Sequence, residues 1–201
     1  MVLGIIALLV GILIPALSAV KEAAKNAKQR AQFAALDMAL LAFRNDYGDY
    51  PPSDGFIYPA DPNPNKGYAD YCGAQKLAEA MVGYDLLGFH PKSDWRSDGW
   101  NNAGTIDFYD ANDPVLLDQR KGPYLDLATA SVFRLGDNPP LYPGLFRRDA
   151  SNPLFNSPFV THVLCDVYGF KTIRMPNGTS VRAGSPILYY RANTSGKVID
   201  E

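Results

Sequence analysis

The hydrophobic and polar positions divide the chain into three stretches, of which the first is apolar. Residues 1–20 carry no charged side chain, and aliphatic residues dominate them. A helix of this length is long enough to cross a hydrocarbon layer of about 30 Å. A signal peptide would begin with basic residues, and a buried core helix would not run on as a polar one. We therefore predict a retained membrane or filament-core helix over residues 1–20.

The second stretch, residues 21–50, continues the helix as an amphipathic stalk. Five apolar side chains recur three and four positions apart, the spacing of one helix face: Phe33, Leu36, Leu40, Phe43 and Tyr47. We expect the remaining chain to pack on residues 33–47. Gly48 and then Pro51 should end the helix, since glycine favours a left-handed turn and proline removes a donor.

The start of the stalk, from Lys21 to Gln32, has a different composition. Charged residues alternate there with four alanines, Ala23, Ala24, Ala27 and Ala31. Small side chains let neighbouring helices approach closely. We expect these alanines to contact other copies of the chain and not the chain's own head.

The third stretch, residues 51–201, forms the head. Pro15 is the only one of the 16 prolines that precedes residue 50, so turns concentrate here. The pattern predicts a helix at Gly73–Leu87, with a turn at residues 176–178. It also predicts strands at Thr105–Tyr109, Tyr124–Leu135, Val160–Tyr168, Lys171–Arg174 and Ile187–Arg191. The expected fold class is α+β, with a long N-terminal hydrophobic helix packed against a globular head that contains an antiparallel β-sheet.

Charge and motifs narrow the functions of the head. Residues 51–201 hold 14 Lys/Arg and 17 Asp/Glu, a net charge of -3. This balance gives no indication of the basic surface that binds nucleic acid. The sequence has no phosphate-binding glycine loop, nucleophile elbow or zinc-protease motif. We therefore expect no enzyme activity and no cofactor.

Histidine and cysteine offer two alternative sites, neither of which we favour. A His162–Cys165 dyad needs a break in regular structure, because strand positions three apart face opposite sides. A zinc site from Cys72, His90, His162 and Cys165 has suitable ligand atoms but none of the usual short spacings.

Acidic and amide side chains cluster at Asp107, Asp110, Asn112 and Asp113. Their spacing fits no calcium loop, so we predict solvated turns and keep calcium as the alternative. Asn177 and Asn193 begin formal N-glycosylation triplets, a pattern that often arises by chance.

The N-terminal stretches "MVLGIIALLVGILIPALSAVKEAAKNA" and "AQFAALDMALLAFRNDYGDYPPSDG" resemble the type IV pilins and the type II secretion pseudopilins. Pro15 lies where that family often carries a helix-breaking proline. The tract from "VLCDVYG" to "AGSPILYYRANTSG" is similar to the C-terminal part of some pilin-like proteins, but it is less specific. Family members have a processing site and then a Glu early in the mature chain, and no residue here matches either.

The resemblance implies a structural subunit that self-assembles through its N-terminal helix into a pilus-like helical homopolymer. Its partners would be further copies and the pilus or secretion assembly machinery of the inner membrane. The subunit would lie in that membrane before assembly, and then in an extracellular or periplasmic filament. The net charge of +3 over residues 21–30 would instead favour a cytoplasmic head.

Two alternatives stay open at this point. One is a pseudopilin of a type II secretion apparatus, whose polymer acts as a piston. The other, from a different class, is a monomeric membrane-anchored enzyme or binding protein whose head follows a helix.

An exported head would also allow Cys72 and Cys165 to form a disulfide. It would close a loop of about 94 residues and stabilise the head by roughly 4–5 kcal/mol in the chain-entropy model. Two buried thiols are the alternative.

Gly11 and Pro15 are the expected weak points of the apolar helix, because glycine lowers helix propensity and proline removes a hydrogen-bond donor. We expect the assembled form to lose regular helical hydrogen bonding between Gly11 and Ala19.

Overall fold

A single long helix dominates the computed structural model, which describes residues 2–53, 72–96, 99–134, 161–169, 171–174 and 180–192. This helix, α1, spans Val2–Tyr47, 46 residues in all. Gly48 ends it: at φ +81° the Gly48 N–H donates to the Arg44 carbonyl oxygen at 2.7 Å. The helix therefore covers both predicted helical stretches and ends at the predicted residue.

The second helix, α2, spans Gly73–Val82, and all of its residues are buried. Leu77 and Met81 are fully buried. The helix stops short of the predicted end at Leu87 because Gly83 takes φ +90°. A β-carbon on Gly83 would lie 2.3 Å from the Gly88 carbonyl oxygen, so this sharp turn requires glycine.

Two short helices follow, α3 at Pro114–Asp118 and α4 at Leu127–Ala130. Each begins at an aspartate whose carboxylate accepts hydrogen bonds from backbone N–H groups of the first turn: Asp113 for α3 and Asp126 for α4. The strand predicted over residues 124–135 is therefore wrong in its first part, because the Asp126 cap starts a helix there.

The described strands form two separate antiparallel pairs instead of one larger sheet. In the first pair, β1 (Val132–Arg134) runs beside β2 (His162–Leu164). In the second, β3 (Lys171–Arg174), which has the predicted bounds, runs beside β4 (Ser180–Ala183). The α+β class is thus confirmed as a mixture of helices with small antiparallel sheets.

Two of the predicted strands are wrong. Residues 105–109 lie in a turn region instead of a strand. The Asn101 side-chain oxygen accepts hydrogen bonds from the N–H groups of Thr105 and Ile106, and this folds the chain back. Residues 187–191 form no strand. Their side chains bond to the turn after α1 instead, where the Tyr189 hydroxyl donates to the Pro51 carbonyl oxygen at 2.9 Å.

The main core lies where α1, α2 and β2 meet. Its buried members include Leu36 and Phe43 from α1, Leu77 from α2 and Leu164 from β2. Helix α1 packs against α2 and α4, while β2 packs against α2. Helix α2, which is buried at every residue, contacts both α1 and β2.

Candidate assembly surface of the N-terminal helix

The first part of α1 is exposed along its length, and it meets the head near its end, where the Tyr168 hydroxyl donates to the Asn26 side-chain oxygen. Every residue from Gly11 to Lys28 is exposed. Several are large and apolar, with half or more of their surface in contact with solvent: Ile12 65%, Leu13 65%, Ile14 65%, Leu17 51% and Val20 64%. Contiguous exposed apolar surface of this kind marks an interaction site. The candidate functional site is therefore the exposed part of α1, residues 11–28.

The four alanines predicted to contact other copies belong to this surface or adjoin it. Ala23, Ala24, Ala27 and Ala31 are all exposed. Their contact with a second copy stays a prediction.

The head contacts α1 earlier than the sequence predicted. Gln32 is buried, and its side-chain amide donates to the carbonyl oxygens of Ala130 at 3.2 Å and Cys165 at 2.8 Å. Buried Gln29 donates to the Gln32 side-chain oxygen at 3.1 Å and accepts from the Val167 N–H at 2.9 Å. The contact therefore includes part of the segment that we expected to be free of the head.

Phe33 was predicted to open the head-facing stripe and is 46% exposed instead. The true stripe is Gln29, Gln32, Leu36, Ala39 and Phe43. Its spacing of three and four is regular, but its first two members are polar, so a search for apolar residues misses them. Burial of these glutamines is tolerated because their amides are hydrogen-bonded to the head.

Helix α1 runs without a break through Pro15. The Ser18 hydroxyl donates to the Pro15 carbonyl oxygen at 2.8 Å. The predicted loss of helix between Gly11 and Ala19 concerns the assembled form and stays a prediction. No helix in the described part of the chain has the length and apolarity that a membrane span requires.

The predicted disulfide is not formed. Cys72 and Cys165 are both thiols, Cys72 half-buried and Cys165 buried. Cys165 belongs to a small apolar cluster with Ala74 and Val163, and Cys72 packs on that cluster. Apolar packing accommodates both sulfurs, which agrees with the alternative of buried thiols.

The acidic and amide side chains considered for calcium are used in local turns. The Asp107 carboxylate accepts from the Tyr109 N–H at 2.9 Å, and the Asp110 carboxylate accepts from the Asn112 N–H at 2.8 Å. Asp113 caps α3. Within the described ranges, no group of three or more His, Cys, Asp or Glu residues is placed to hold a metal ion.

The two histidines do not take part in the sites considered for them. The His90 ring stacks on Phe108 with centroids 4.7 Å apart, and its Nδ1 accepts from the Lys92 N–H at 3.2 Å. Burial lowers the pKa of His90, and the charges of Arg120 and Lys92 lower it further. Burial likewise lowers the pKa of His162. These shifts favour the neutral form of both rings.

A groove that the sequence did not reveal lies between the end of α1 and residues 189–192. Its volume is about 800 Å³, and its lining includes Leu41, Arg44, Tyr50 and Tyr190. An ion pair of 2.6 Å between Arg191 and Asp49 joins its two walls. The groove brings together residues some 140 positions apart in the chain, so no local pattern predicts it.

Asn177 and Asn193, the formal glycosylation acceptors, lie outside the described residues. No family model matches the chain, and neither a curated protein nor a solved structure matches it.

Proposed function

We propose that the protein is a structural subunit of a pilus-like helical filament that assembles through α1. One observation carries this proposal: a single 46-residue helix holds the head with its second part and leaves residues 11–28 exposed. A helix that served only as a scaffold for the head would not need that exposed extension.

The chemistry of the extension supports self-association. Each large apolar side chain on it forgoes roughly 1.5–3 kcal/mol of burial energy while it lies in water. Lipid before assembly, and other copies after it, would both supply apolar cover. Lipid alone does not account for the charged, alanine-rich part of the helix between Lys21 and Arg30, which is suited to close helix contact.

The same assembly would serve a pilus or a secretion pseudopilus, and the pseudopilin remains the alternative within this class. The groove beside Tyr190 favours the alternative from another class, a membrane-anchored binding protein that acts as a monomer. The two classes differ in whether the chain polymerises.

The test is assembly of the full chain after it is purified in detergent and the detergent is removed. Electron microscopy and sedimentation should show filaments. The double variant Ala24→Leu/Ala27→Leu should form none, because the added side chains prevent close approach of the helices. Its thermal melt should match the parent, since both alanines are exposed in the single chain.

A matched control is Ala103→Leu/Ala128→Leu, which adds the same bulk at two exposed head positions. We expect this control to form filaments as the parent does. A parent chain that stays monomeric would contradict the proposed function and favour the monomeric binding protein. Filaments from the Ala24→Leu/Ala27→Leu variant would place the assembly contact elsewhere.

A further inference from the structure

Helix α1 carries a second apolar stripe, which we call the seam. Its members alternate four and three residues apart: Leu13, Leu17, Val20, Ala24, Ala27, Ala31, Ala34, Met38 and Leu41. All of them are exposed in the single chain. A mean spacing of 3.5 residues is the repeat of helices that wind around each other in a left-handed coiled coil.

The seam is distinct from the face that holds the head. At 3.6 residues per turn, its centre lies about 140° around the helix from the head-facing stripe. A surface helix of a single globular domain needs only one apolar stripe. Met38 is nevertheless 72% exposed and Leu41 50% exposed, although both lie at the level of the head. Among the described residues, the seam is thus exposed along its whole length, including the part beside the head, where Leu41 also lines the groove at the end of α1.

Side-chain size varies along the seam in a way that selects an alignment. The large residues Leu13, Leu17 and Val20 come first, four alanines follow, and Met38 and Leu41 come last. Two parallel copies in register would pair large with large and alanine with alanine. No single helix separation suits both kinds of layer, because protein interiors are closely packed.

A shift of two heptads, about 21 Å along the helix, removes this conflict. Each large side chain then meets an alanine of the second copy. The five layers pair Leu13 with Ala27, Leu17 with Ala31, Val20 with Ala34, Ala24 with Met38, and Ala27 with Leu41.

Charge permits the shift without selecting it. Segment 21–30 has four basic residues and one acidic residue, a net charge of +3. In register, two such segments would lie side by side. After the shift each lies beside residues 35–44, where Asp37 and Arg44 cancel. On the flanks of the seam Lys28 would meet Asp37, which attracts, and Lys21 would meet Arg30, which repels.

We infer that the seam of α1 docks a second copy of α1, parallel and shifted by two heptads, with Met38 and Leu41 of one copy covering Ala24 and Ala27 of the next. The inference rests on the proposed function, since it specifies the contact through which the filament grows. Because the shift leaves an unused seam end on each copy, the contact repeats along an open chain and does not close into a dimer.

The test exchanges the large and the small side chain in the layer that pairs Ala24 of one copy with Met38 of the next. Ala24→Met alone should place two methionines in that layer, and Met38→Ala alone should leave a gap. Each single change should weaken association of the detergent-free protein about tenfold or more. The double variant Ala24→Met/Met38→Ala restores one large and one small side chain, so its association should return to within about twofold of the parent.

The double variant separates the shifted contact from its alternatives. In register, or in an antiparallel dimer centred on Ala24, it would place the introduced methionines of the two copies against each other, and association would not recover. If the parent polymerises and the double variant does not recover association, this inference alone is overturned. A parent that never polymerises would overturn the proposed function together with it.

A photo-reactive residue at position 38 supplies a second measurement on the assembled protein. Mass spectrometry should find it linked to residues 20–27 of another copy. A link to position 38 of another copy would show packing in register, and a link near position 10 would show an antiparallel pair. Either result would overturn the shifted contact.

Discussion

The two parts of α1 are one unbroken helix with opposite surroundings. From residue 29 to residue 47, buried side chains recur every three or four positions and contact the head. From residue 11 to residue 28 none is buried. Helical continuity is therefore no guide to role: the later part stabilises the head, and the earlier part offers surface to another molecule. Changes in the two parts should have separable effects.

The boundary between the two parts is polar. Gln29 and Gln32 are buried there, and hydrogen bonds to the head satisfy both. Such bonds require a fixed geometry, whereas apolar contacts tolerate small slips. We expect this pair of glutamines to set the axial position of the head along α1, and thus the length of helix left exposed.

The largest expected effect on stability comes from one of the two phenylalanines of α1. Phe43 is 3% exposed and contacts the rings of Tyr47, Phe89 and Tyr124. Phe43→Ala should lower the free energy of unfolding of the head by about 3–5 kcal/mol. Phe33→Ala, on the same helix but 46% exposed, is the matched control and should change it by about 0.5 kcal/mol or less.

Urea unfolding followed by aromatic circular dichroism measures both variants in detergent. An equal loss of unfolding free energy in the two variants would mean that the head covers both faces of α1, contrary to the comparison drawn above.

A smaller loss should follow from Gln32→Ala. The change removes the donor to two buried carbonyl oxygens, those of Ala130 and Cys165, and should cost about 2–4 kcal/mol of unfolding free energy. Gln119 makes one side-chain bond to a backbone carbonyl at an exposed site, so Gln119→Ala is the control and should cost about 0.5 kcal/mol or less. A Gln32→Ala chain as stable as that control would refute a structural role for the polar boundary.

The smallest effect concerns pH. The pKa values of His90 and His162 are lowered from the ordinary 6.5, chiefly by burial. Below that value the unfolded chain binds more protons than the folded one, so stability is complete above pH 6.5 and declines as the pH falls through the window beneath it. A His90→Gln/His162→Gln variant, compared with the parent between about pH 7.5 and 5, should show a flatter decline. An identical slope in both chains would assign the pH dependence to other groups.

The sequence predicted α1 well because its signals are local. A long run of helix formers and the stop at Gly48 decide it without help from the rest of the chain. The strand at residues 124–135 failed in part because one capping side chain, Asp126, outweighed β propensity. The buried glutamines and the groove beside Tyr190 were missed because their burial depends on contacts with residues about a hundred or more positions away. The candidate surface itself needed only the pattern of exposed apolar residues, and the structure showed where the head stops covering it.

The most direct test of the central claim is a structure of the protein assembled after detergent removal, at a resolution that shows the backbone. We predict a helical polymer in which residues 11–28 are buried between copies, while the Gln32 contacts with the head persist as in the single chain. A polymer joined through the heads with residues 11–28 facing solvent, or a protein that remains monomeric, would contradict the account.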